Sequence, residues 1–153
     1  MTQLRFESTV NASIDQVWQS ITSLQGLTSE MMPLMRLTAP KGFKNLSDIY
    51  PRQKDIKSYV LLFGVFPIDT TDLHLKSLTV HKGFIEESNM ASMNYWRHER
   101  KLTQLSASQV SIVDELTFEP RRFTKISVYI IKKFFEHRHK NLKKLFEESA
   151  HDQ

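Results

Sequence analysis

Five residues on three segments carry the chemistry most open to use in this sequence. Trp96, His98 and Arg100 alternate along one stretch, Asp114 sits among apolar neighbours in the next, and Arg138 interrupts an apolar stripe near the end. If the first stretch is a strand, alternation puts Asn94, Trp96, His98, Arg100 and Leu102 on one face and Tyr95, Arg97, Glu99 and Lys101 on the other. Trp96 and Leu102 mark the first face as the inner one. The same alternation groups Asp114 with Val110, Ile112, Leu116 and Phe118, so its carboxylate points inward. A buried charge is costly unless paired, so these groups must meet each other or a ligand, and Asp114 is expected to pair with Arg138 or Arg100. Two uses are open: an internal ion pair that fixes a helix against a sheet, or contact with a ligand's polar end. Glu86 or Asp114 beside His98 would also suit general base chemistry on a bound carbonyl compound.

The elements that must position these side chains follow from periodicity. Leu4, Phe6 and Ser8 alternate with Arg5, Glu7 and Thr9, which predicts a strand from Gln3 to Val10. Ser13 and Gln16 form a capping box, and Ile14, Val17, Trp18, Ile21 and Leu24 recur at helical spacing until Gly26 ends the turn. Leu27 to Leu37, Met-rich and broken by Pro33, reads as a second brief helix. Thr38 to Asp55 reads as a mobile loop holding a short strand. Strand character fills Ile56 to Phe66, Thr70 to Leu78, Gly83 to Met90, Asn94 to Leu105 and Gln109 to Glu119, in an antiparallel meander. From Thr124 to Ser149 the period lengthens, with Val128, Ile131, Phe135, Arg138, Leu142 and Leu145 on one side of a long amphipathic helix.

Composition narrows the classes. The 153 residues, 40% apolar and 25% charged, suit one globular domain spanning residues 1–153. With no cysteine there is no disulfide, thiolate metal site or cysteine nucleophile, which favours a reducing, cytoplasmic setting. The longest uncharged run, Ser58 to Ile68, has 11 residues, short of the roughly 20 that span a bilayer as a helix. No transmembrane segment and no export signal is expected. The net charge of +4 is too small to demand nucleic acid, and no nucleic-acid partner is expected.

Other motifs are weaker. His137 and His139 lie about 200° apart around a helix, so they cannot hold one ion together; they read as surface histidines, and no metal or cofactor is expected. The four glycines, Gly26, Gly42, Gly64 and Gly83, build no phosphate loop and no nucleophile elbow. Nine Lys or Arg between Arg121 and Lys144 face Glu136 alone, which reads as a solvated face with weak membrane-surface contact as its functional version. Met31, Met32, Met35, Met90 and Met93 offer pliant apolar surface for a cavity or for ordinary core filling. Tyr59 to Phe66 is apolar on both faces, so one face should meet the helix and the other a covering loop or a partner.

Taken together, the element order, the Phe6-x-x-Ser-Thr opening, and Val17-Trp18 on the first helix resemble the SRPBCC superfamily, the START and birch-pollen-allergen-like helix-grip fold. So do Leu61-Leu62-Phe63-Gly64 with Pro67-Ile68-Asp69, Trp96-Arg97-His98-Glu99-Arg100, Asp114 to Pro120, and Phe135-Glu136-His137-Arg138-His139. The resemblance implies an α+β fold, a curved antiparallel sheet wrapped around a long C-terminal helix with two short N-terminal helices. It also implies an apolar cavity beneath that helix, which members use for lipids, sterols or polyketides and a few use for cyclase chemistry. The expected function is binding of a hydrophobic small molecule, as carrier or sensor, by a monomer or homodimer. The expected ligand-binding residues are Trp96, His98, Arg100, Asp114, Arg138, Phe135, Leu62 and Met90, with none assigned to catalysis. The alternatives are a cyclase, aromatase or dehydratase acting on a polyketide-like carbonyl, or a partner-binding module.

Overall fold

The computed structural model describes residues 1–51 and 55–151. Residues 52–54, within the loop predicted before Ile56, lie outside the described residues. The first strand, β1 (Thr2–Val10), runs as the alternation requires and pairs antiparallel with the last, β9 (Gln109–Pro120), from Thr2 opposite Phe118 to Val10 opposite Val110. On the other side of β9 lies β8 (Met93–Ser106), followed by β6 (Gly83–Glu87) and β5 (Leu75–Thr79), giving the order β1-β9-β8-β6-β5. A second antiparallel group has the order β2 (Met35–Leu37), β3 (Ile56–Leu62), β4 (Phe66–Leu73) and β7 (Asn89–Met90). The two groups join where β4 passes at His74 into β5, and where the Ser88 N–H reaches the Trp96 carbonyl at 3.3 Å.

Three predicted strands are therefore divided. Residues 56–66 turn back at Phe63 and Gly64, both at positive φ, the geometry a tight hairpin needs. Residues 70–78 change sheets at His74. Residues 83–90 break at Ser88, whose hydroxyl donates to Glu86 at 2.6 Å and accepts from the His74 N–H at 3.1 Å.

Helix α1 (Ile14–Thr22) opens on the predicted capping box, the Gln16 N–H donating to the Ser13 hydroxyl at 3.2 Å while the Gln16 side chain accepts from the Ser13 N–H at 3.0 Å. It ends four residues before Gly26. Ser23 is extended and its hydroxyl accepts from the Gly26 N–H at 3.0 Å, so it caps a new helix, α2 (Leu24–Met31). Gly26 has a different use from the expected one: a methyl there would lie 1.8 Å from the Ser20 carbonyl oxygen, so only glycine lets α2 leave α1 this sharply.

Among the described residues of the loop before β3 there is no strand. A single 3-10 turn, Leu46–Asp48, is capped by Asn45, and Leu46 and Ile49 are buried in the core.

The last helix, α3 (Thr124–His151), lies across β1 and α2. Of its buried residues, Phe135, Arg138 and Leu142 follow the predicted stripe, while His139 is added and Phe146 is buried in place of the expected Leu145. One cluster beneath it joins Val17, Ile21, Leu102, Ile112, Leu142 and Phe146. The other joins Met93, Trp96, Leu116, Phe118 and Phe135. Between sheet and helix the second cluster leaves space, so the protein is an α+β helix-grip fold with a hollow on one side of its core. No helix among the described residues is long and apolar enough to cross a membrane.

Candidate functional site

The inner face of β8 is the predicted one, with Trp96, His98, Arg100 and Leu102 all buried. Asn94 departs from it: a bulge between Met93 and Tyr95 turns Met93 inward and leaves Asn94 in solvent. Opposite Arg100 on β9 stands Asp114, fully buried. Its Oδ1 accepts from Arg100 Nε at 2.7 Å and faces His98 Nε2 at 2.6 Å; its Oδ2 accepts from the second guanidinium arm at 2.8 Å and faces His139 Nε2 at 2.6 Å. Four contacts use the four lone-pair directions of a carboxylate. Of the two partners expected for Asp114, the structure forms the pair with Arg100.

Arg138 instead meets Glu30, a residue of α2 that the sequence reading passed over. The Glu30 carboxylate accepts from both arms of Arg100, at 2.6 and 2.8 Å, and from Arg138 Nε at 2.5 Å. Three residues after Leu27, it lies on the same side of α2. His139 is the second omission. It is 6% exposed, not on the surface as expected, because the stripe through Phe135 and Leu142 is wide enough to include it. Its Nδ1 lies 2.6 Å from the Ser8 hydroxyl on β1. His137 is half-buried, with Nε2 3.2 Å from the Met32 carbonyl oxygen.

The electrostatics follow from this crowding. Burial pushes the Asp114 carboxyl up, but Arg100, with His98 and His139, outweighs it and holds the group well below the usual carboxylate range. Burial likewise acts against Glu30, and Arg100 and Arg138 reverse it to a lowered value. Desolvation also acts against Glu86, which is half-buried, and His98, Ser88 and Trp96 reverse it to a lowered value. Burial alone would lower His98; Asp114 and Glu86, on either side of the ring, raise it instead. Arg100 is raised by its two carboxylates.

Opposite pH limits result. Carboxylates lowered in the folded state stabilise it above their unfolded values near about 4, and that stability is lost as pH falls through the folded values. A raised histidine stabilises below its unfolded value near about 6.5, and that stability is lost as pH rises through the folded value. Urea midpoints are therefore expected to peak between these limits and fall on both sides. His98→Gln should flatten the alkaline side alone; a wild-type midpoint that climbs steadily above pH 7 contradicts the assignment.

Beside this network lies a cavity of about 250 Å³. Its apolar wall includes Met31, Met35, Val60, Met90, Met93, Trp96, Ile131, Phe134 and Phe135, and the network reaches it through Glu86, His98 and Arg138. Phe135 organises that end: its ring lies 5.2 Å from His98 edge-on, 5.6 Å from Phe6 in a stack, and 4.7 Å from the Arg138 guanidinium. Ile68 and Ile130 line the cavity yet are 51% and 47% exposed, which places its mouth between β4 and the start of α3.

Of the eight expected ligand residues, Trp96, His98, Arg138, Phe135 and Met90 line the cavity. Arg100 and Asp114 lie behind its wall: Asp114 holds His98, and Arg100 shares with Arg138 the Glu30 carboxylate that holds it. Leu62 is outside the lining, since a bulge between Val60 and Leu61 shifts the alternation after Val60 and Leu61, not Leu62, becomes the buried residue.

The fold is START-like, and its solved relatives agree along nearly the whole chain. Zhui aromatase/cyclase from Streptomyces sp. R1128 superposes with a TM-score of 0.74 at 11% identity, covering 97% of this chain and 95% of its own. A protein from Chromobacterium violaceum gives 0.72 at 13% identity, covering 96% and 99%. A START superfamily protein from Mycobacterium smegmatis gives 0.70 at 9% identity, covering 95% and 97%. No curated protein matches the chain by sequence. The family model described as a domain of unknown function, DUF8410, matches residues 8–146, and the chain belongs to that family.

Proposed function

We propose that this protein binds a mainly hydrophobic small molecule in the cavity between sheet and α3, as a carrier or sensor. The observation that carries the reading is a cavity of about 250 Å³ walled by methionine, aliphatic and aromatic side chains, with polar groups few and fixed. Apolar area removed from water supplies the affinity, and the immobile polar end supplies orientation. Methionines from four elements, Met31, Met35, Met90 and Met93, let the wall adapt to guests of differing shape. The likeness to a START superfamily protein supports the same role.

An acid–base enzyme acting on a polyketide-like carbonyl is the second reading, favoured by Glu86 and His98 on the wall and by the likeness to an aromatase/cyclase. The carrier reading is preferred because His98 spends Nε2 on Asp114 and its Nδ1 stands 3.8 Å from Glu86, beyond hydrogen-bond reach, so the two wall groups do not form an acid–base pair.

Native mass spectrometry of the purified protein, before and after denaturing extraction, is expected to reveal a bound lipid or aromatic compound. Filling the cavity gives the sharper test. Met90→Trp should weaken binding of the neutral dye Nile red at least tenfold while circular dichroism stays unchanged. Undiminished dye binding in that variant would remove the cavity as the binding place.

A further inference from the structure

The charges around the cavity floor cancel. Glu30, Glu86 and Asp114 stand against Arg100, Arg138 and a His98 that two flanking carboxylates favour as imidazolium. His139, packed on them from α3, faces Asp114 through Nε2 and the Ser8 hydroxyl through Nδ1, so both of its nitrogens are taken up within the protein. Asp69 lies at the open mouth, taken up by the Ser92 hydroxyl and by the backbone N–H groups of Thr70 and Ser92. An ionised ligand group entering this floor would meet no free counter-charge, so it would surrender its hydration without compensation.

One polar atom inside the wall does lack a partner. Thr71, on β4 between Ser58 and Met90, is 4% exposed and lines the cavity. Its hydroxyl is the buried side-chain polar atom that makes no hydrogen bond among the described residues. Buried hydroxyls are seldom left so, and one that faces a cavity is matched when a guest brings a complementary group.

We infer that the guest is uncharged, an apolar body carrying a hydroxyl or carbonyl that hydrogen-bonds Thr71, and that the site rejects carboxylates and amines of the same shape. This rests on the cavity reading above and adds the chemical class of the ligand. The test measures displacement of Nile red at pH 7 by decan-1-ol, decan-2-one, decanoate, decylamine and decane. The alcohol and ketone should bind at least tenfold more tightly than decanoate or decylamine. Thr71→Val, which keeps the shape and removes the unpartnered oxygen, should weaken decan-1-ol about tenfold and leave decane unchanged. Decanoate or decylamine binding as tightly as the alcohol, or an alcohol affinity untouched by Thr71→Val, overturns the inference while dye binding keeps the cavity reading intact. Failure of wild-type protein to take up Nile red or any decyl probe overturns both.

Discussion

Asp114→Ala is expected to cost about 3–5 kcal/mol, a large part of the roughly 5–15 kcal/mol that stabilises an ordinary domain. Asp114 is wholly buried and each of its oxygens serves two donors from β8 and α3. Removing it leaves Arg100 with Glu30 alone and leaves two histidine nitrogens aimed at nothing. Asp114→Asn should fare little better, since an amide presents two donors to groups that already donate. The counter-experiment removes charge in balance. Glu30→Leu alone strands Arg138 and half of Arg100, whereas Glu30→Leu with Arg138→Met keeps Arg100, Asp114 and His98 matched. The double variant should therefore be more stable than Glu30→Leu alone, a favourable coupling readable from urea midpoints. A double variant less stable than either single one would show that these groups are not joined as a network.

The second large effect concerns Gly83, at the start of β6. Its φ is +139°, and a methyl there would sit 1.9 Å from the carbonyl oxygen of Arg100. Gly83→Ala combines backbone strain of about 1–3 kcal/mol with overpacking of about 1–3 kcal/mol, since the obstacle is main chain and cannot rotate away. Relief requires β6 to move off β8 at the residue whose guanidinium ties α2 to β9. Loss of about 2–6 kcal/mol is expected from these two costs, together with weakened Nile red uptake. Gly42→Ala, at φ +94° with nothing near the added methyl, carries the backbone part alone. Equal midpoints for the two variants would remove the close approach as the cause.

How far this arrangement could be read in the sequence depends on the range of each signal. Periodicity placed β1, β8, β9 and α3 within one or two residues of their ends, because each is long and carries a regularly spaced inner face. It also turned Asp114, His98 and Arg100 inward, since a lone carboxylate among Val110, Ile112, Leu116 and Phe118 can face only one way. The shorter strands were merged because a turn at Phe63-Gly64 or a change of sheet at His74 leaves little mark on a run of β-forming residues. Ser23 acts twice, closing α1 and capping α2, and Gly26 three residues later masked it by resembling a helix stop. Glu30 escaped because a glutamate on a short helix is normally solvated. What drew it inside was two arginines, one 70 and the other 108 residues away, and no local pattern reports a partner at that distance. His139 escaped for a similar reason, its partners Ser8 and Asp114 being 131 and 25 residues off.

Those separations also set an order on how the molecule comes into being. On a ribosome Glu30 emerges long before either guanidinium, and β1 waits for almost the entire chain before β9 can receive it. The emerging half-protein thus holds a hydrated glutamate and an unpaired first strand. β9 can claim that strand and Arg100 one side of the glutamate, but Arg138 reaches Glu30 only once the final helix arrives, so a translation product cut short before α3 lacks this closing cation as well as the roof.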